Sequence, residues 1–171
     1  MRTRTRVAVA IAVSTAAISA PPAYAAPGGT CTWAGTPLAP TGTFSVTPGV
    51  TNFPSSGPLK FVATGRLGGG PGCHGTMTWV GKLDAGATCP FSTFRGRVMG
   101  LPGVARFVGR GSLDVPSLLY DRKGRLVGVE NAEITTQANA SHFLDCATPQ
   151  GFTGGWPDMF SSVVERFGAG G

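Results

Sequence analysis

The sequence predicts an all-β fold, a single antiparallel β-barrel or sandwich of about nine short strands with one C-terminal α-helix and two disulfides. Three observations carry that expectation. Glycine and proline number 27 and 14 among 171 residues, which weighs against helical bundles, where both are penalised. Short runs of alternating apolar and polar residues recur between turn-forming segments. Four cysteines, Cys31, Cys73, Cys89 and Cys146, form no C-x-x-C pair and read as a disulfide framework, which persists only in an oxidising space. With 13% charged and 42% apolar residues, the chain is too hydrophobic to remain disordered.

The first segment reads as an export signal. Arg2, Arg4 and Arg6 precede an apolar run from Val7 to Ala20, and Ala23-Tyr24-Ala25 has the small-x-small form that a signal peptidase cuts, so cleavage is expected after Ala25. The apolar run of about 14 residues falls short of the roughly 20 that span a bilayer. Residues 26–171 then form one β-rich domain. Loss of three arginines lowers the formal charge from +6 to +3.

Along that domain, strands are expected at Thr30–Thr36, Gly42–Thr47, Leu59–Gly65, Phe91–Met99, Val104–Leu113, Val115–Tyr120 and Arg125–Gln137. Leu101-Pro102-Gly103 suits a type II turn and Asp121-Arg122-Lys123-Gly124 a type I turn closed by a glycine at positive φ. Thr47–Gly57 and Gly68–Gly72 read as loops. Between Cys73 and Cys89, odd positions include Met77, Trp79 and Leu83, and even positions include His74, Thr78 and Lys82. This period of two describes a hairpin whose odd face is buried. A turn near Gly81 would set Cys73 against Cys89 and leave Cys31 to pair with Cys146; a turn at Asp84-Ala85-Gly86 would undo that pairing. Near the end, Trp156, Met159, Phe160, Val163, Val164 and Phe167 fall at helical spacing, so a helix is expected over about 157–167, opened by Pro157 and closed by Gly168.

Candidate chemistry is sparse. His142 stands three residues before Asp145, with Ser141, Ser161 and Ser162 available, which is the residue set of a hydrolase in which histidine acts as base and aspartate orients it. No G-x-S-x-G elbow accompanies it. Neither the cysteine spacings nor His74 and His142 make a metal-ligand cluster, so no metal and no cofactor are expected. Arginine outnumbers lysine 8 to 3 in residues 26–171. Arg95 and Arg97 share one strand face and Arg106 and Arg110 share one on the next, so their hairpin would gather four guanidinium groups suited to phosphate or carboxylate. Nucleic acid is not an expected partner, because a charge of +3 without interleaved aromatic residues offers neither counterion release nor stacking. Asn139-Ala140-Ser141 fits the N-glycosylation pattern, which carries meaning only in a host that glycosylates.

The small-residue signal peptide, the arginine bias and the alanine and glycine richness together resemble small exported proteins of actinobacteria; the resemblance is one of style and implies a secreted or cell-envelope location. The order of many strands and then a helix is similar to lipocalin-like barrels, although Trp33 sits in Cys31-Thr32-Trp33-Ala34-Gly35 rather than in their Gly-x-Trp start. Small bacterial protease inhibitors also combine two disulfides with a β scaffold, but no reactive-site loop can be picked out. The expected function is therefore that of a secreted, monomeric, non-catalytic binding or envelope-associated module whose partner is a small molecule or envelope component. The alternatives are a hydrolase or barrel enzyme using His142 and Asp145, and a protease inhibitor.

Overall fold

A computed structural model describes residues 28–36, 38–111, 116–133, 145–154 and 161–168. The described strands are β1 (Gly29–Trp33), β2 (Gly35–Thr36), β3 (Ala39–Pro40), β4 (Thr43–Val50), β5 (Leu59–Gly69), β6 (Thr76–Leu83), β7 (Ser92–Met99), β8 (Arg106–Gly111), β9 (Ser117–Tyr120), β10 (Leu126–Glu133), β11 (Phe152–Gly154) and β12 (Ser161–Arg166). Strands β5 to β10 form an antiparallel meander, continued by β12 and then β1. β1 pairs on its other side with the end of β5, through Cys31 with Gly69 and Trp33 with Leu67. That pairing closes an eight-stranded barrel and removes the edges an open sheet would expose. β4 pairs with the first half of β5 and carries β11, extending the wall past the closed barrel, while β2 and β3 form a separate ribbon.

The interior is filled by aromatic rings. Trp79 stacks on Phe107 with centroids 4.1 Å apart and planes 12° apart, Trp33 lies 5.1 Å from Trp79, and Phe61 lies 5.6 Å from Phe107. Phe44 continues the run from Phe61 to Phe152, at 5.8 and 6.1 Å. Stacked and tilted aromatic pairs of this kind add to the large area each ring buries. Trp33 also donates its indole N–H to the carbonyls of Gly65 (3.2 Å) and Met77 (3.1 Å), which stitches β1 to β5 and β6.

Gly81 does not turn the chain; it sits in the middle of β6, facing inward opposite Phe61 and Gly96. A Cβ on Gly81 would lie 2.8 Å from Phe107 Cζ and 3.0 Å from Phe61 Cε1, and one on Gly96 would lie 2.7 Å from Phe107 Cζ. The glycine lets both the rings and the backbone of the paired strand come close, a second use of glycine in a strand that a turn reading overlooks. The reversal comes later, where Ala87 donates to Asp84 O and Gly86 takes φ of 86°. Cys73 and Cys89 thus lie beyond opposite ends of one strand. The expected Cys73–Cys89 and Cys31–Cys146 pairing is replaced by Cys31–Cys73 and Cys89–Cys146, with Cα separations of 5.4 and 6.2 Å.

The C-terminal expectation is corrected as well. Ser161–Arg166 is strand β12, not the C-terminal half of a helix over 157–167, and residues 157–160 lie outside the described ones. The apolar residues at 163, 164 and 167 satisfy a helical spacing, but the barrel needs a strand between β1 and β10, and both edges of β12 are used. In that role Val164 and Arg166 are buried while Val163 and Phe167 stay partly exposed. Tertiary pairing has overridden a short-range pattern. The two turns hold as expected: Gly103 has φ of 83° and Gly124 of 82°. Two loop expectations give ground to strands, since β4 runs on to Val50 and β5 to Gly69. The export signal at 1–25 and Asn139-Ala140-Ser141 lie outside the described residues.

Candidate functional site

The outer face of β5 to β9 carries a basic cluster assembled by register alone. Inward-facing Phe61, Gly81, Gly96, Phe107 and Leu119 form one cross-strand row. The residues between them therefore point outward. On one side of that row Lys60, Lys82, Arg95, Val108 and Leu118 are successive partners; on the other, Val62, Val80, Arg97, Arg106 and Tyr120 are. Between these rows lies a shallow groove of about 820 Å³ that five basic side chains border.

Like charges stand directly opposite each other three times, Lys60 with Lys82, Lys82 with Arg95, and Arg97 with Arg106. Direct partners sit roughly 5 Å apart, and same-sign pairs at that distance destabilise a sheet. Asp84 answers one of them, bridging Arg95 at 2.9 Å. Lys60, Lys82, Arg97 and Arg106 have no carboxylate partner among the described residues. Arg106 rests over the Tyr120 ring at 5.9 Å, which fixes its head at the groove margin.

Of the four arginines singled out in the sequence, Arg95, Arg97 and Arg106 border this groove. Arg110 shares the outer face but pairs with Thr93, one step further along, and lies over Phe91 at 5.8 Å. Lys60, Lys82 and Tyr120 join them from β5, β6 and β9, the strands that precede β7 and follow β8 in the meander. The alternation places Lys82 on the outward face, but a turn at Gly81 would break the strand before it; the unbroken β6 sets it opposite Arg95.

A second polar cluster lies inside the wall. Glu130 is 2% exposed and accepts hydrogen bonds from Ser162 Oγ and from the Ser117 side chain. Burial raises its carboxyl to about 7, against the opposing pull of those two bonds. Arg166, also buried, donates from Nη2 to Pro71 O at 2.6 Å and lies 3.6 Å from Cys73 Sγ. Its Nε and Nη1 have no hydrogen-bond partner among the described residues.

The hydrolase residues are not brought together among the described residues. Ser161 and Ser162 are buried in β12, Asp145 is half-buried with its carbonyl accepting from Thr148, and His142 and Ser141 lie outside the described residues. His74 is exposed beside β6. Among the described residues, no group of three or more His, Cys, Asp or Glu is placed to hold a metal, and no helix is long and apolar enough to cross a membrane.

The chain matches no known family, no curated protein and no solved structure.

Proposed function

We propose that this chain is a secreted, non-catalytic binding module that holds an anionic ligand on the outer face of β5 to β9. One observation carries the reading: five cations crowd a groove in which three pairs of direct cross-strand partners have the same sign and, among the described residues, only Arg95 has a counter-charge. Such an arrangement opposes folding, so its presence is best accounted for by an anion that neutralises it. The aromatic filling of the barrel supports a surface role rather than an interior one. Two disulfides suit the oxidising space outside the cell.

The experiment is retention on an anionic column and binding of inorganic pyrophosphate, each across a salt series. Changing Arg95, Arg97 and Arg106 together to alanine is expected to abolish both, whereas Arg110→Ala, outside the groove, leaves pyrophosphate binding unchanged. Salt-sensitive retention and pyrophosphate affinity that survive the triple change overturn the reading.

A further inference from the structure

We propose that the groove takes an amphiphilic anion, a molecule with one anionic head and an aliphatic body; this rests on the anion-binding reading of the same face. The charges do not cover the groove evenly. Lys60, Lys82, Arg95, Arg97 and Arg106 form a connected band, and Val62 with Val80 lies at one flank while Val108 with Leu118 lies at the other. These four apolar residues are 41, 42, 40 and 38% exposed, and Val62, Val80 and Val108 line the groove with the cations. The floor is backbone, because the side chains of Phe61 and Phe107 point inward and Gly81 and Gly96 have none.

Each half of this surface selects against a simpler ligand. An inorganic anion would use the guanidinium and ammonium groups and leave the valines in water. A linear polyanion lying along the band from Lys60 to Arg106 would leave the flanking apolar residues in water. A bilayer is met by apolar groups that protrude from the surface, whereas these valines lie between longer lysine and arginine side chains in a concave site. The groove's volume lies in the range of small-molecule sites, which are mostly apolar with a few convergent polar groups. An anionic head on Arg95, Arg97 and Arg106 would place an aliphatic chain over Val62 and Val80 or over Val108.

Titration of the disulfide-bonded full chain with inorganic, butyl and decyl phosphate, all below micellar concentration, tests this. Each methylene buried contributes about fourfold in affinity, so decyl phosphate is expected to bind at least tenfold more tightly than butyl phosphate. The triple change V62T, V80T and V108T, which keeps side-chain shape and strand preference, is expected to lower decyl phosphate affinity about tenfold and leave inorganic phosphate unaffected. If the triple variant loses its near-ultraviolet circular dichroism, V80T alone gives the same comparison with a smaller drop. Equal affinity for all three phosphates overturns the amphiphile and leaves the anion reading standing. No phosphate binding at all overturns both. Decanol binding as tightly as decyl phosphate overturns the anionic head, and binding only to vesicles containing anionic lipid replaces the single molecule with a membrane surface.

Discussion

Ser162 on β12 donates a hydrogen bond to the buried carboxyl of Glu130 on β10, next to the position where Glu130 pairs with Val164. The bond ties together two neighbouring strands of the closed barrel and places an ionisable group in its wall. Burial raises the Glu130 carboxyl from its ordinary 4.5 to about 7. The folded protein therefore holds a proton that the unfolded chain releases. Stability from this group is fully present below pH 4.5, falls as pH rises to 7, and is flat above that, a total loss of about 3 kcal/mol. Denaturant unfolding at pH 4.5 and pH 8 measures it, and Glu130→Gln should remove most of the difference.

Asp121 sets the opposite limb. Its carboxylate accepts from the backbone N–H groups of Lys123 (2.8 Å) and Arg125 (2.9 Å) and from Arg125 Nε (2.7 Å), and these bonds hold its pKa below the ordinary 3.8. The stability it supplies is present above that ordinary value and is lost as pH falls through the lowered one. The combined contribution of Asp121 and Glu130 is therefore greatest between about pH 4 and 5. Asp121→Asn should flatten the acid side of the profile and leave the neutral side unchanged.

The disulfides give a covalent test. Digestion without reduction should yield peptides joining Cys31 to Cys73 and Cys89 to Cys146, and none joining Cys73 to Cys89. Replacing Cys89 and Cys146 by serine should cost about 2–5 kcal/mol in denaturant unfolding.

Packing of Phe107 against Trp79 makes the barrel interior sensitive to volume in both directions. Phe107→Ala should destabilise by about 3–5 kcal/mol, through lost burial and the cavity left behind. Gly96→Ala should cost about 1–3 kcal/mol for the reverse reason, because the added methyl meets the Val80 carbonyl oxygen and Gly81 Cα of β6 as well as Phe107 Cζ at 2.7 Å.

The basic face should show a trade between binding and stability. Arg97→Glu converts the Arg97–Arg106 pair into one of opposite sign and should stabilise the fold by about 0.2–1 kcal/mol while weakening pyrophosphate binding. Thermal unfolding and titration of the same variant read the two effects.

Much of the local structure was legible in the chain. The alternation through Met77, Trp79 and Leu83 marks the buried face of β6, and Pro102-Gly103 and Asp121 to Gly124 mark turns, because strand pleat and backbone preference act over a few residues. The arginine pairs on β7 and β8 were visible for the same reason, as one short hairpin fixes which of them share a face. Glu130 was not visible: strict alternation would send Val127 and Val129 inward, yet Glu130 is the buried residue, paired with Ser117 and Val164.

By itself the sequence determined the all-β character, the positions of most strands, the even cysteine set and the basic β7–β8 hairpin. Tertiary structure decided that β1 and β12 close the barrel, that Ser161–Arg166 is a strand, which cysteines pair, and that Lys60 and Lys82 join the arginines. The division follows from range. Periodicity and turn chemistry are properties of neighbours along the chain, whereas closure and disulfide partners depend on contacts between segments far apart in sequence, and the meeting of Lys82 with Arg95 depends on where the β6–β7 turn falls.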